Sequence, residues 1–348
     1  MEFFKNQGVA LKVISGDDPQ TVSIIAQKCG MEGADKYIDA STINTKKEMA
    51  EALRKYSVFG RVKPEQKKMI VQCLQRDGHT VAMTGDGVND VLALKQADCS
   101  IAMAAGSEAT KHAADIVLLD SDFAAMPSIV NEGRRVINNI TNAASMYLIK
   151  TTFSCLMTLG TIILGGTYPF EAMQLSIISG CAVGIPTFFM QFEPSFKAVK
   201  NDFMKRVFRN AIPAGVFITI LCLVVTKIGN AISGDQPGLM QTICVLCIGW
   251  IYFFMLKRIY SPMTLYRRII AYVMEFVYYI VMIIGQHILT LQSVSIAGVM
   301  VLLLVITTAP IFIDVAESVY DRYIGDRIQK MASRDATKTR AKRKRRKA

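Results

Sequence analysis

The chain has 348 residues, of which 51% are hydrophobic and 20% charged, and its mean hydropathy is +0.31. Soluble domains rarely combine a positive mean hydropathy with so many charges, so the apolar residues must be concentrated in one part of the chain. This composition excludes a single soluble domain, a disordered protein and a fibrous repeat.

The charges fall into three blocks. Residues 1–137 hold 17 Lys and Arg against 18 Asp and Glu, residues 138–316 hold 11 against 6, and residues 317–348 hold 12 against 4. The blocks predict a near-neutral globular domain, a transmembrane domain and a basic cytosolic tail. For the tail, attraction to anionic lipid or a role as a disordered topology anchor is simpler than nucleic-acid binding, so we expect no nucleic-acid partner.

The first block alternates strand and helix patterns. Strands are predicted at Val9–Ile14, Ser57–Val62, Thr80–Met83, Cys99–Met103 and Asp115–Leu119. Helix-start signals such as Asp18-Pro19 and Pro64-Glu65 follow the first two. This order is typical of an α/β, Rossmann-like fold with a parallel, doubly wound sheet, in which ligands bind beyond the carboxyl ends of the strands.

Polar groups near these strand ends suit a phosphoryl ligand. Ser15-Gly16 offers a hydroxyl and backbone N–H groups, Lys67 a cation, and the segment Thr84–Asp90 a pair of carboxylates. Donors and a cation hold phosphate oxygens, whereas carboxylates hold Mg²⁺. Taken singly, Ser-Gly-Asp is an ordinary turn, and a lysine on a helix is more often a solvated charge than a ligand. Two acids, an asparagine and two glycines within seven residues favour a functional site.

The same segments carry a family resemblance. Thr84-Gly85-Asp86-Gly87-Val88-Asn89-Asp90 resembles the hinge motif of P-type cation-transporting ATPases, which are members of the haloacid dehalogenase-like (HAD) superfamily. Ser15-Gly16-Asp17 resembles the second motif of their phosphorylation domain, and Arg61–Lys67 the third. Leu92 stands where proline is usual, which is similar to a bacterial group regarded as calcium transporters.

The resemblance implies roles for individual residues. It implies ATP as the substrate and Mg²⁺ as the cofactor of the complete enzyme, with Asp86 holding the metal. It implies catalytic roles for Lys67 and Asp90. The residues implied in phosphate binding are Ser15, Gly16, Asp17 and Asn89.

Several family motifs do not occur in the sequence. There is no Asp-Lys-Thr-Gly-Thr string, which carries the phosphorylated aspartate, and no Thr-Gly-Glu string of the actuator domain. The sequence therefore resembles the carboxyl-terminal half of a pump, whose partner would be an amino-terminal half with the actuator, the nucleotide domain and four helices. We expect it to be inactive alone. The alternative is a non-catalytic membrane subunit or remnant; a membrane-tethered phosphatase would lack its nucleophilic aspartate.

The second block predicts six membrane-spanning helices. Each apolar stretch approaches the roughly 20 residues that span a bilayer. The stretches are 144–165, 171–192, 211–229, 239–256, 269–290 and 294–313. Lys and Arg fall in the connections after the second and fourth stretches and are missing from the other three connections. The positive-inside rule then predicts a multi-pass plasma-membrane protein with both termini cytosolic.

Four polar residues in these stretches are candidates for an ion pathway. The resemblance implies that Thr151, Ser154 and Ser179 occupy positions that often ligate a transported cation, although the carboxylates of well-known calcium pumps are missing. Lys150 adds a positive charge, either functional or reaching back to the cytosol. Glu275, in the fifth stretch, is expected to be interfacial or to pair with a neighbouring helix.

Overall fold

The computed structural model describes residues 1–165, 168–193, 199, 202–233, 237–294, 296–325 and 327. They form two compact units, one of residues Met1–Asn131 and one that begins at Glu132. The division falls inside one continuous helix, Met126–Ile163. The boundary predicted after residue 137 lies in the same helix, and most of the basic tail predicted at 317–348 lies outside the described residues.

The first unit contains two parallel three-stranded sheets. The strands are β1 (Val13–Ile14), β2 (Tyr37–Asp39), β3 (Val58–Gly60), β4 (Ala82–Gly85), β5 (Cys99–Met103) and β6 (Ile116–Leu118). Their orders are β1-β3-β2 and β4-β5-β6, with Val13 opposite Val58 and Met83 opposite Ser100. The predicted α/β class is confirmed, but the strands belong to two sheets, and β2 was not predicted.

Six helices cover these sheets in the first unit. They are α1 (Glu2–Asn6), α2 (Pro19–Lys28), α3 (Lys46–Lys55), α4 (Pro64–Arg76), α5 (Val91–Gln96) and α6 (Glu108–Ala113). Local sequence explains their starts. Asp18 caps α2 just before Pro19, Ser107 caps α6, and Thr45 with Glu48 forms a capping box on α3.

Helix α4 packs against the cores of both sheets. Its Ile70 is fully buried in a cluster with Phe59 of β3, and its neighbour Val71 is buried in another cluster with Met83 of β4. Ile14 of β1 packs against that second cluster as well. The edge strands β1 and β4 therefore border one shared apolar region, and α4 holds Lys67 beside it.

The second unit is helical. Its helices are α7 (Met126–Ile163), α8 (Ala172–Ile178), α9 (Ile185–Met190), α10 (Phe203–Ser233), α11 (Pro237–Ile259), α12 (Leu265–Ile284) and α13 (Ile296–Tyr320). A π-helical segment, Ser179–Gly184, joins α8 to α9, so the second predicted stretch is one interrupted helix. α11 lies at the centre, because 78% of its most apolar window is buried.

Five described helical segments are long and apolar enough to cross a membrane. They are Phe123–Ile163, Ala172–Met190, Phe203–Lys227, Gly238–Ile259 and Gly298–Ile324. The fifth predicted stretch is not among them. Its helix α12 has 20 residues but carries Arg267, Arg268 and Glu275, and three charges make the burial of this helix in lipid costly.

Two of these charges are neutralised by other residues of the unit. Glu275 pairs with Lys257 of α11 at 2.7 Å, which satisfies the expectation of a neighbouring-helix partner. Arg267 is buried, lies 2.7 Å from a carboxylate oxygen of Glu193 and donates to the carbonyl of Tyr260. α12 is therefore held by polar contacts as well as by its apolar face.

Candidate functional site

Lys67 and Asp90 form a buried ion pair in the first unit. The Lys67 Nζ donates to Asp90 Oδ1 at 2.6 Å, and the exposed fractions of the two side chains are 11% and 9%. α4 supplies the lysine, and the turn between β4 and α5 supplies the aspartate. A Cβ on Gly85 would lie 2.6 Å from the Asp90 Cβ, so the glycine leaves room for the carboxylate.

Asp86 lies at the carboxyl end of β4, and its side chain is exposed. The backbone of this turn is fixed by Ser107, the N-cap of α6, and by Thr110 inside that helix. The Ser107 N–H donates to the Asp86 carbonyl at 2.9 Å, and the Thr110 hydroxyl donates to the Gly87 carbonyl at 2.9 Å. A Cβ on Gly106 would lie 2.6 Å from that Asp86 carbonyl oxygen. The loop is thus fixed while its carboxylate stays free to bind a ligand.

Sequence reasoning missed this support. Ser107 was visible as a helix N-cap, since Ser before Glu108 is a common helix start. Its contact with Asp86 depends on the pairing of β4 with β5, which no local pattern reveals. Asn89, which was predicted to bind phosphate, is exposed in the same turn.

The Ser15-Gly16-Asp17 loop lies at the carboxyl end of β1. The Ser15 hydroxyl donates to Asp17 Oδ2 at 2.9 Å, and the Asp17 N–H donates back to Ser15 Oγ at 3.2 Å. Gly16 is exposed, and a Cβ there would meet nothing within 4 Å. The loop is preformed, but its contacts do not include Asp86 or Lys67 among the described hydrogen bonds.

The residues around Asp86 fit a magnesium ion that is shared with a phosphate. No group of three or more His, Cys, Asp or Glu side chains within the described ranges could hold a metal by itself. Mg²⁺ commonly takes one or two carboxylates and completes its shell with water and substrate phosphates. Because Asp90 is engaged by Lys67, the exposed Asp86 is the carboxylate free for that role.

In the second unit, the predicted ion-pathway residues of α7 share one face. Lys150, Thr151 and Ser154 line an open groove of about 560 Å³, together with Tyr147, Cys155 and Thr158. Ser179 lies in the π-helical segment, where its hydroxyl donates to the Leu175 carbonyl at 2.6 Å. Hydroxyls and one ammonium group therefore line three turns of α7, although most of the groove surface is apolar.

The structure gives no carboxylate to Lys150 among the residues it describes. Glu275, considered from sequence as its counter-charge, is occupied by Lys257. Any partner for Lys150 must come from a bound anion, from solvent or from another polypeptide segment that lies along the groove.

Comparison with known proteins agrees with this arrangement. The family model described as haloacid dehalogenase-like hydrolase matches residues 1–98. A probable cation-transporting ATPase, exp7 of Streptococcus pneumoniae, is 42% identical over 77% of this chain and 35% of its own length. The calcium-transporting ATPase CtpE of Mycolicibacterium smegmatis is 42% identical over 63% of this chain and 29% of its own length. The chain thus spans about a third of the relatives it matches.

A HAD-like unit with a buried Lys–Asp pair at its strand ends, continuous in sequence with a bundle of membrane helices, defines a membrane-bound member of the HAD superfamily. Within that superfamily, the sequence matches support a fragment of a P-type cation-transporting ATPase. It is a multi-pass membrane protein.

Proposed function

We propose that the chain is the carboxyl-terminal part of an ATP-driven cation pump, in which the first unit completes the phosphorylation site and the second forms half of the ion pathway. The observation that carries this proposal is the buried Lys67–Asp90 pair, in which Nζ lies 2.6 Å from Oδ1. The exposed Asp86 lies in the same turn as Asp90. A buried, paired lysine at strand ends is a pre-oriented cation for a transferring phosphoryl group.

The sheets support a strand contributed by the remainder of the pump. β1 and β4 each have one unpaired edge in the described structure, and Ile14 and Met83 share an apolar cluster. A strand between them would join the two sheets, and its carboxyl end would lie beside Ser15 and Asp86. We infer that the phosphorylated aspartate is carried by such a strand.

Each residue then has a role in phosphoryl transfer. Ser15 and Gly16 would donate hydrogen bonds to the phosphoryl oxygens, while Lys67, oriented by Asp90, would stabilise their charge. Asp86 would hold Mg²⁺, which supplies neutralising charge when bound. Asp17 fixes the turn through Ser15, and Asn89 lies within the exposed turn that would face the phosphate.

In the second unit, the α7 groove would form one wall of the ion pathway. Thr151, Ser154 and Ser179 offer hydroxyl oxygens, and Lys150 a fixed charge. CtpE is named a calcium-transporting ATPase, so Ca²⁺ is the first cation to test. If α12 crosses as well, with Glu275 and Arg267 paired to other residues, the distribution of Lys and Arg supports cytosolic termini. A plasma-membrane location is part of the same proposal.

Acid-quenched phosphorylation with labelled ATP tests this function. The complete pump should form a hydroxylamine-sensitive phosphoenzyme, and the 348-residue chain alone should not. Asp86→Asn should abolish the label even at saturating Mg²⁺, whereas Asp17→Asn, which alters only the turn, should retain part of it. Equal labelling of Asp86→Asn and the unmodified pump would remove the metal role. A complete protein that never takes label would favour a non-catalytic membrane subunit.

A further inference from the structure

Arg61, in the turn between β3 and α4, has a strained backbone. Its φ is +52°, in the left-handed region that favours glycine. A long side chain in this region is energetically unfavourable, and such strain persists only where the surrounding structure enforces it. Glycine or asparagine would adopt this backbone conformation with less strain, so the contacts of the Arg61 guanidinium call for an explanation.

The guanidinium joins two loops. Its Nη2 lies 2.8 Å from Asp18 Oδ1, and its Nη1 lies 2.9 Å from Asp39 Oδ2. Both carboxylates are already fixed by other bonds. Asp18 Oδ2 accepts from the Gln20 N–H at 3.1 Å, and Asp39 Oδ1 accepts from the Ser41 hydroxyl at 2.6 Å. Arg61 therefore braces the loop after β1 against the end of β2.

The backbone of the same turn is bonded to the Ser15–Asp18 loop. The Arg61 N–H donates to the Asp17 carbonyl at 2.8 Å, and the Val62 N–H donates to the Ser15 carbonyl at 3.0 Å. A Cβ on Gly60 would lie 2.4 Å from the Pro19 Cα, so the end of β3 and the start of α2 are in direct contact. These contacts fix the carbonyls of Ser15 and Asp17 and leave Gly16 exposed.

Stability alone does not account for this arrangement. The Arg61 side chain is 56% exposed, and ion pairs in contact with solvent contribute little to folding. The two ion pairs of Arg61 therefore act mainly on the geometry of the Ser15–Asp18 loop.

We propose that Arg61 is a positioning residue, which through Asp18 and Asp39 sets the Ser15-Gly16-Asp17 loop in the conformation that receives a phosphoryl group. The proposal rests on the proposed function. Arg61 itself does not touch the phosphoryl group. Asp39, at the end of β2, influences the loop only by anchoring Arg61.

The test measures phosphoenzyme formation from inorganic phosphate and Mg²⁺ in the complete pump, where a carboxylate displaces water from phosphorus. Arg61→Ala should raise the half-saturating phosphate concentration about tenfold or more, since small misplacements of binding groups are expensive. Arg61→Lys, which cannot reach both carboxylates with one planar group, should recover only part of the loss. Asp39→Ala should raise the half-saturating phosphate concentration as well. The double variant Arg61→Ala, Asp39→Ala should have the same half-saturating concentration as Arg61→Ala.

A matched control separates positioning from stability. Arg54→Ala removes another exposed Arg–Asp pair of the same unit, with Asp77 at 3.4 Å, and should leave the phosphate dependence unchanged. Lower thermal stability of Arg61→Ala with unaltered phosphate dependence would overturn the proposal. A loss in Arg61→Ala with none in Asp39→Ala would also overturn it, because that pattern indicates direct contact with phosphate.

Failure of the proposed function gives a different result. An unmodified pump that takes no label from phosphate, or a Lys67→Met pump that labels like the unmodified one, would overturn the proposed function and this proposal with it. A normally labelled pump, with Lys67→Met inactive and Arg61→Ala unchanged, would overturn the role of Arg61 alone.

Discussion

Lys67 and Asp90 are each other's buried partner, 2.6 Å apart and about nine-tenths enclosed. Two charges removed from water stabilise a fold little in net terms, but removal of one leaves the other buried without compensation. The pair is therefore more informative when its members are changed separately and together.

We expect Lys67→Met to lower the free energy of unfolding by about 3–5 kcal/mol, because it leaves the Asp90 carboxylate buried and unpaired. The double variant Lys67→Met, Asp90→Leu should recover most of that loss. Thermal unfolding of the 348-residue chain in detergent micelles measures both. Additive losses in the double variant would mean that the two side chains do not depend on each other.

The glycines of the candidate site give a second prediction. Gly106→Ala places a Cβ 2.6 Å from the backbone oxygen of Asp86, and backbone moves less readily than a side chain. We expect a loss of about 1–3 kcal/mol, as for other overpacked positions. Gly133→Ala, inside α7 with nothing within 4 Å, is the control and should stabilise by about 0.5–1 kcal/mol. The same unfolding assay compares them, and equal effects would contradict the steric argument.

The capping box on α3 predicts a dependence on pH. The backbone N–H of Asn44, together with Thr45, holds the pKa of Glu48 below its usual value of 4.5. A carboxyl group whose pKa is lowered on folding stabilises the protein above pH 4.5, and this stabilisation is lost as the pH falls through the lowered pKa. The Ser41 hydroxyl lowers the pKa of Asp39 from its usual value of 3.8. The stabilisation from Asp39 is therefore present above pH 3.8 and is lost as the pH falls through the lowered pKa.

Glu48→Gln should therefore flatten the acid limb of the stability curve and change stability least at the acid end, where the Glu48 carboxyl is protonated in the folded and unfolded states. Thr45→Ala removes the other half of the box and should cost about 1 kcal/mol at neutral pH. Denaturant titrations between pH 3 and 7 measure both variants. An acid limb that is identical in Glu48→Gln and the unmodified chain would exclude the carboxylate as its source.

Local patterns predicted the parts of the fold that local chemistry determines. The helix starts at Asp18-Pro19 and Pro64-Glu65 and the acidic turn at Asp86 all follow from neighbouring residues. β2 was missed because Tyr37-Ile38-Asp39 is too short to show alternation. The division into two sheets, the bonds from Asp39 to Arg61 and those from Ser107 to Asp86 depend on strand pairing between distant residues, for which one sequence holds no signal.

The membrane unit shows the same limit. Hydropathy placed α12 among the spanning helices, yet its charges are explained only by partners on other helices and loops, Lys257 for Glu275 and Glu193 for Arg267. The polar face of α7 could be predicted from helical spacing. That Glu275 is unavailable to Lys150 could not be predicted, because it depends on how α11 packs against α12.

Lys150 gives the last prediction. It lies in the α7 groove among hydroxyls and a thiol, without a carboxylate partner in the described structure, whereas Lys257 is neutralised by Glu275. An unpaired ammonium beside the proposed ion pathway repels a transported cation in the state where the two are close, so its charge enters the transport cycle directly. In the complete pump, Lys150→Met should change the ion affinity or the charge moved per cycle, while phosphoenzyme formation persists.

Lys257→Met is the matched control. It leaves Glu275, which does not line the groove, without its partner, and it should reduce stability without altering charge movement. Charge measurements on solid-supported membranes compare the two, and unaltered ion dependence and charge movement in Lys150→Met would show that the lysine only reaches back to the membrane surface.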